Sequence, residues 1–457
     1  MGRKAGRNPF WRFVDNLEGD KAVWMIALLL MGLSIICIFS STTLLANSSL
    51  ETTRVDIVRE QLIVVLVGLG LMIGIYNINR ISLFRSFAKY SFLLTFGILM
   101  FLTLRLNFGF IRACKFNDAW RAIMIGGFQV HVFEMVKVLM VMYLAWAIDT
   151  VKHGQTSICE KLSNIKHLEF MRKEFWCRAT YIYLPIFVTC LLVMMGSVSS
   201  ALFIGTILFL VIIIGGIKVK ELIPIIVIGI VAVSGIVIGY NKTDGRLFSK
   251  FERIPTAVNR ITRGTDYYLH EIMTHERNSE EWQDAVDDVR QPMGAKLAIK
   301  EGGIIGKGPG HSTQRYVVSV MYGDYMFAFI VEEYGIIGAL AIILLYLSLI
   351  SRGSAIAKNL DDQFAQCVVA GLAVLITGQA LMHMFINIDL GPLTGQTLPM
   401  ISHGKSSFLV FCAAFGVILS ISRVAKKKLE SFEEKEKARL VTSRNEDEYR
   451  PDDINKL

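Results

Sequence analysis

Asp324 stands near the start of the stretch "MYGDYMFAFIVEEYG" (321–335), and Glu332 and Glu333 follow eight and nine residues further in. A carboxylate exposed to hydrocarbon costs a few kcal/mol, so three of them need either partners or work to do. Just upstream, "EGGIIGKGPGHSTQRY" (301–316) brings five glycines together with Lys307 and Arg315. Glycine lets backbone come close, and N–H donors beside two cations can cradle a phosphate-bearing group. The run lacks the strand–helix setting of a nucleotide-binding loop. Two more polar sets stand out. Glu134 and Lys137 share a helix face at i,i+3 spacing, and "ISHGKSS" (401–407) offers Ser402, His403, Lys405, Ser406 and Ser407 ahead of another apolar run.

The elements that must position these groups are membrane spans. The chain has 457 residues, of which 53% are hydrophobic and 19% charged. Ten apolar runs are long enough to cross a bilayer: 22–46, 61–76, 88–104, 130–148, 181–196, 200–216, 221–239, 325–350, 363–387 and 402–422. The expected class is an all-α polytopic membrane protein of ten helices, with a large outer loop between the seventh and eighth. Its parts are a cytoplasmic head (1–21), helices one to seven (22–239), the loop (240–323), helices eight to ten (324–425) and a charged cytoplasmic tail (426–457), a solvated helix fraying into disorder. The first run is too long for a removable signal peptide and has no small-residue cleavage site.

Charge supports this count. Arg3, Lys4, Arg7 and Arg12 in the head, the basic segment 151–178, Lys218 and Lys220, Arg352 and Lys358, and "RVAKKK" (423–428) all fall on one side if there are ten spans. By the positive-inside rule that side is the cytoplasm. The net charge of +9 is then an orientation signal, and a nucleic-acid partner is excluded. The loop 240–323 is mixed, with twelve Lys/Arg and eleven Asp/Glu. The seven cysteines show no pairing or metal-ligand spacing. With this topology the polar starts of helices two, four, eight and ten lie at one level near the outer face. Snorkelling explains Arg59 alone; four clusters together point to a polar cavity there.

The ordered motifs "AIKEGGIIGKGPGHSTQRY", "GDYMFAFIVEEYGIIGA" and "GPLTGQTLPMISHGKSSFLVFCAAFGVILSISR" resemble the SEDS family of peptidoglycan polymerases, and the likeness runs from residue 19 to Arg423. "TGQTLP" (394–399) is more similar to division-type than to elongation-type members. The resemblance implies a glycosyltransferase that joins lipid II units at the outer face. In it a sugar hydroxyl attacks an anomeric carbon, undecaprenyl pyrophosphate leaves, and Asp324 matches the general base. A single inverting displacement is the simplest course. Lys307, Arg315 and then Arg121 are candidates to meet the pyrophosphate. Lys137 either joins them or neutralises Glu134, and Ser402, His403, Lys405 and Ser406 line the site, the serines also capping helix ten. No motif requires a cofactor; a divalent cation, magnesium or manganese, is compatible with the leaving group.

The implied partners are a class B penicillin-binding protein, other division proteins and membrane lipids. Glu332 and Glu333 are expected to be structural, one paired inside the bundle and one lining a wet recess. The chain departs from the family pattern at His131, Val132 and Phe133, at His383, Phe385 and Asp389, and at His403, Gly404 and Lys405. A lipid II flippase and a non-catalytic division scaffold are the rival readings. The first needs charge on both faces, and the second tolerates loss of Asp324.

Overall fold

The computed structural model describes residues 18–42, 54–116, 119–165, 167–242, 258, 265–277, 279–318, 321–391 and 395–448. A helix forms on each apolar run: α1 (Lys21–Ser41), α2 (Arg54–Tyr76), α3 (Ile81–Thr103), α4 (Val132–Lys152), α5 (Glu174–Met194), α6 (Val198–Ile214) and α7 (Val219–Lys242). Two helices, α8 (Thr265–Thr274) and α9 (Glu280–Gly302), occupy the loop segment. The series ends with α10 (Met326–Lys358), α11 (Gln363–Asn387) and α12 (Lys405–Glu448). Among the described residues seven helices are long and apolar enough to cross a membrane: α1, α2, α3, α5, α10, α11 and α12. Of the others, α6 has only 17 residues, and α4 carries Glu134, Lys137, Asp149 and Lys152.

The centre of the bundle lies along α4, α11 and the first part of α12 (405–427), which are mostly buried, whereas α3 turns most of its apolar surface outward. Helix α12 packs on α2, α10 on α11, and α4 on both α3 and α11. Beyond the expected range, α12 continues as helix to Glu448. Good helix formers such as those of "EEKEKARL" favour this extension.

The expectation of an all-α fold needs correction. Three antiparallel strands, β1 (Ile111–Phe116), β2 (Ala119–Ile125) and β3 (Phe128–His131), stand between α3 and α4. Gly126 and Gly127 both adopt positive φ and join β2 to β3 through the pair Ile125↔Phe128. A two-residue Gly-Gly turn of this kind matches the twist of a hairpin. The fourth apolar run therefore begins as strand, and helix starts only at Val132.

A second unexpected feature lies inside α10. Gly335 (φ 67°, ψ −170°) breaks the helix, and residues 303–308 lie across the break. Lys307 N and Gly308 N donate to the carbonyls of Glu332 and Glu333, both at 2.9 Å, while Ile336 N and Ile337 N donate to those of Gly303 and Ile304 at 3.0 and 3.3 Å. A Cβ on Gly302, Gly306 or Gly335 would overlap the opposing backbone. This close crossing is what the glycines make possible.

Candidate active site

Asp324 sits half-buried in the turn just before α10. The turn is fixed from two sides. Asn387 Nδ2, at the end of α11, donates to the Asp324 carbonyl at 3.0 Å, and Ser402 Oγ donates to the Gly323 carbonyl at 2.8 Å. His403 N donates to the Tyr322 carbonyl at 2.9 Å, and the Tyr322 and His403 rings meet edge to face at 5.7 Å. Burial first, and the Asp324 charge after it, hold the Tyr322 phenol above its ordinary pKa. The Asp324 carboxylate faces Gly395, where φ is +64° and an added Cβ would lie 3.6 Å from Oδ2.

The first turn of α10 leaves N–H groups without helical partners, and α11 supplies acceptors. Phe327 N donates to His383 Nε2 at 3.3 Å and Ala328 N to Asn387 Oδ1 at 2.9 Å. An accepting Nε2 puts the proton on Nδ1, which donates to the Gln396 carbonyl at 2.8 Å. Both ring nitrogens of His383 are thus hydrogen-bonded.

Behind this lies a buried network. Lys137 Nζ donates to Glu134 Oε1 at 2.8 Å, to Gln379 Oε1 at 2.5 Å and to Gln396 Oε1 at 2.7 Å. Gln396 Nε2 reaches Ser200 Oγ at 3.0 Å, and Gln379 Nε2 reaches the Thr397 carbonyl at 3.1 Å. Lys137 is thereby a fully hydrogen-bonded buried cation, the only kind the bundle interior tolerates at modest cost. The segment 395–404 joins the network to the Asp324 turn, since Gly395 and Ser402 face the turn while Gln396 faces Lys137.

The glycine-rich loop is spent differently. Glu332 Oε1 accepts from Lys307 Nζ and Thr313 N, both at 2.8 Å, and from Gln314 N at 3.2 Å; its Oε2 accepts from Ser312 Oγ at 2.5 Å. Glu333 Oε1 accepts from Ser40 Oγ at 2.6 Å and Gly310 N at 3.0 Å. Both glutamates therefore hold the loop through these contacts, and Glu333 Oε2 is buried without a hydrogen-bond partner among the described residues. Lys307 also pairs with Glu301. Desolvation weighs against its ammonium, but Glu301 and Glu332 outweigh it and leave the pKa above the ordinary value.

Arg315 is buried and points inward, donating to the Ser40 carbonyl at 3.1 Å and the Gly310 carbonyl at 2.8 Å. Arg121 lies on β2, and its charge acts on the neighbouring His131 ring. Lys405 pairs with Glu60 of α2. Ser406 Oγ accepts from His131 N at 3.0 Å, so Ser402 and Ser406 act as clamps between segments. Asp389, another departure, pairs with Lys296 of α9. The turn thus brings together Asp324, Ser402 and His403, while Lys307 and Arg315 are held at the loop by their own acceptors. Sequence reasoning missed Gln379, and it passed over Gln396 inside a motif it had quoted.

A family model for cell cycle proteins, covering FtsW, RodA and SpoVE, matches residues 20–427. The chain belongs to the FtsW/RodA/SpoVE family. Among FtsW/RodA/SpoVE relatives, a probable peptidoglycan glycosyltransferase FtsW of Geobacter metallireducens is 24% identical over 404 residues, covering 88% of this chain and 94% of its own. Stage V sporulation protein E of Bacillus subtilis is 25% identical over 89% of this chain and 98% of its own. The fold is similar to that in a solved peptidoglycan synthase complex that coordinates polymerisation and crosslinking (TM-score 0.58, 18% identity, 89% of this chain and 98% of that one). It is also similar to the rod shape determining protein RodA of Thermus thermophilus (TM-score 0.53, 17% identity, 90% and 98%).

Proposed function

We propose that this chain is a peptidoglycan glycosyltransferase that polymerises lipid II at the outer face of the cytoplasmic membrane during septal wall synthesis. The carrying observation is Asp324, a half-buried carboxylate on a turn whose backbone is held by Asn387, Ser402 and His403. A carboxylate fixed in this way is suited to take the proton from the attacking sugar hydroxyl. With an α-linked pyrophosphate donor and a β-linked product, one inverting displacement suffices, and charge on the leaving pyrophosphate must be met by cations. Lys307 and Lys405 have the more exposed side chains, at 23% and 35%, whereas those of Arg315 and Lys137 are exposed by only 8% and 1%. The first two are assigned to the pyrophosphate and the second two to positioning. A divalent cation, magnesium or manganese, would arrive with the pyrophosphate, since no cluster of three His, Cys, Asp or Glu among the described residues would retain it.

Ten spans fit this reading. The end of α4 at His131 meets Ser406 of α12, and its far end at Asp149 pairs with Arg85 of α3 at 3.1 Å. Helix α4 therefore runs from the site end of the bundle to the opposite end, despite its charges. The solved neighbour in a synthase complex supports a transpeptidase partner, here a class B penicillin-binding protein.

The test is glycan formation from lipid II by the full chain with its co-expressed partner. Asp324→Asn is expected to lower turnover by roughly 10²–10⁴. Polymer from Asp324→Asn at the native rate would sink the base assignment. No polymer from a well-folded native complex would favour the scaffold or flippase.

A further inference from the structure

The sheet end of the molecule carries a recess and a set of charges that the proposed chemistry does not use. A cavity of about 80 Å³ lies between α3, β2, α4 and α5, lined by Leu99, Leu102, Phe133 and Leu192 together with Arg105 and Trp120. The Trp120 Nε1 atom is buried and has no hydrogen-bond partner among the described residues. A buried N–H without an acceptor is costly, so an acceptor supplied from outside the chain is the economical resolution.

Cations stand beside the same indole. The Arg105 guanidinium is 5.3 Å from the Trp120 ring centre, and the Lys115 ammonium is 5.8 Å from it. Lys137, Lys307 and Lys405 each have a carboxylate partner, whereas Arg105, Arg112 and Lys115 form no ion pair among the described residues. Around them Leu104, Phe108 and Phe110 are 58%, 72% and 69% exposed. Exposed aromatic rings beside unpaired basic residues are the pattern of a segment seated at a membrane–water boundary.

From this juxtaposition we infer a binding site for an anionic phosphoglycerolipid. Its phosphate lies against Arg105 and Lys115, an ester carbonyl accepts from Trp120 Nε1, and the first methylenes of one acyl chain enter the recess. The volume is about half that of a cavity that binds benzene. It suits an unbranched chain better than an isoprenoid, whose methyl branches widen it. The phosphate chemistry is shared with polyprenyl pyrophosphate, and the inference commits to the phosphoglycerolipid.

The experiment uses the full chain in nanodiscs containing phosphatidylglycerol or phosphatidylcholine with identical brominated chains. Quenching of Trp120 is read as the difference between the native chain and Trp120→Phe. Phosphatidylglycerol is expected to reach half-maximal quenching at a roughly thirtyfold lower mole fraction, the effect of two interfacial cations. Arg105→Gln with Lys115→Gln should abolish that preference, and Arg105→Lys with Lys115→Arg should keep it. Equal quenching by the two lipids in the native chain would overturn the inference, and that comparison needs no charge variant. So would a preference that survives the double Gln change, or displacement of phosphatidylglycerol by undecaprenyl pyrophosphate, which would assign the site to substrate.

Discussion

Gly306 and Gly335 meet where the loop crosses the broken helix, both at positive φ, and a methyl on either would overlap backbone that has no room to move. Strain at such a φ and overpacking each cost about 1–3 kcal/mol. Gly335→Ala is therefore expected to lower the melting temperature of the purified protein by several degrees, whereas Gly391→Ala, which has nothing within 4 Å, leaves it nearly unchanged. His403 gives a pH-dependent counterpart. Burial, then the Lys405 charge, depress its pKa, with Glu60 acting in the opposite sense. An unfolded histidine titrates near about 6.5. As pH falls from there toward the lower folded value, the unfolded chain takes up the proton and the folded chain does not, so stability drops. His403→Gln should flatten part of the acid-side fall in melting temperature, and an unchanged profile would remove His403 from that account. The Glu134/Lys137 pair was legible at this scale because residue type and i,i+3 spacing suffice to mark it. The acceptors of Lys307 and Arg315 were not, since Glu332 lies 25 residues from Lys307 and Ser40 lies 275 from Arg315.

Among the elements, α4 is anchored by a side chain that would be a liability elsewhere. Lys137 is buried among Glu134, Gln379 and Gln396, contributed by α4, α11 and the segment before α12. Lys137→Met leaves Glu134 an unpaired buried carboxylate, a loss of about 3–5 kcal/mol. The double change Lys137→Met with Glu134→Gln removes both charges and should recover a large part of that stability. Thermal unfolding of the native chain, Lys137→Met, Glu134→Gln and the double variant measures the coupling, and additive losses would deny the pair its role. The i,i+3 spacing made this pair visible in the sequence, but its glutamine partners carry no charge and follow no periodic pattern. The strands were lost for a related reason: short, charged segments with only a Gly-Gly turn to mark them lie beside apolar runs that dominate the reading. The break in α10 was hidden because a glycine in an apolar run reads as helix until the chain crossing it is seen.

Across the whole molecule, helix ends sort into two levels. At one, Arg352 of α10 and Ser422 of α12 both bind Asp20, just before α1, and Arg85 joins α3 to Asp149 of α4 and Asp362 before α11. At the other lie the Asp324 turn, Ser40 of α1, Lys405 with Glu60 of α2, and His131 with Ser406. Ten apolar runs and their basic connections were readable from composition alone, because the bilayer imposes length and the charge rule imposes direction. Helix α4 escapes a hydropathy criterion because its charges are satisfied inside the bundle, yet it joins the same two levels as α11 and α12. A topology measurement follows from this. With all seven native cysteines replaced by Ser, a single cysteine at the exposed Phe110, on the sheet side, should react with a membrane-impermeant maleimide in intact cells. One at His153, just past α4, should react only after permeabilisation. Labelling of both in intact cells would mean that α4 does not cross and that the ten-span reading fails. Labelling of His153→Cys alone would invert the molecule and place Asp324 in the cytoplasm, where the proposed use of lipid II at the outer face could not stand.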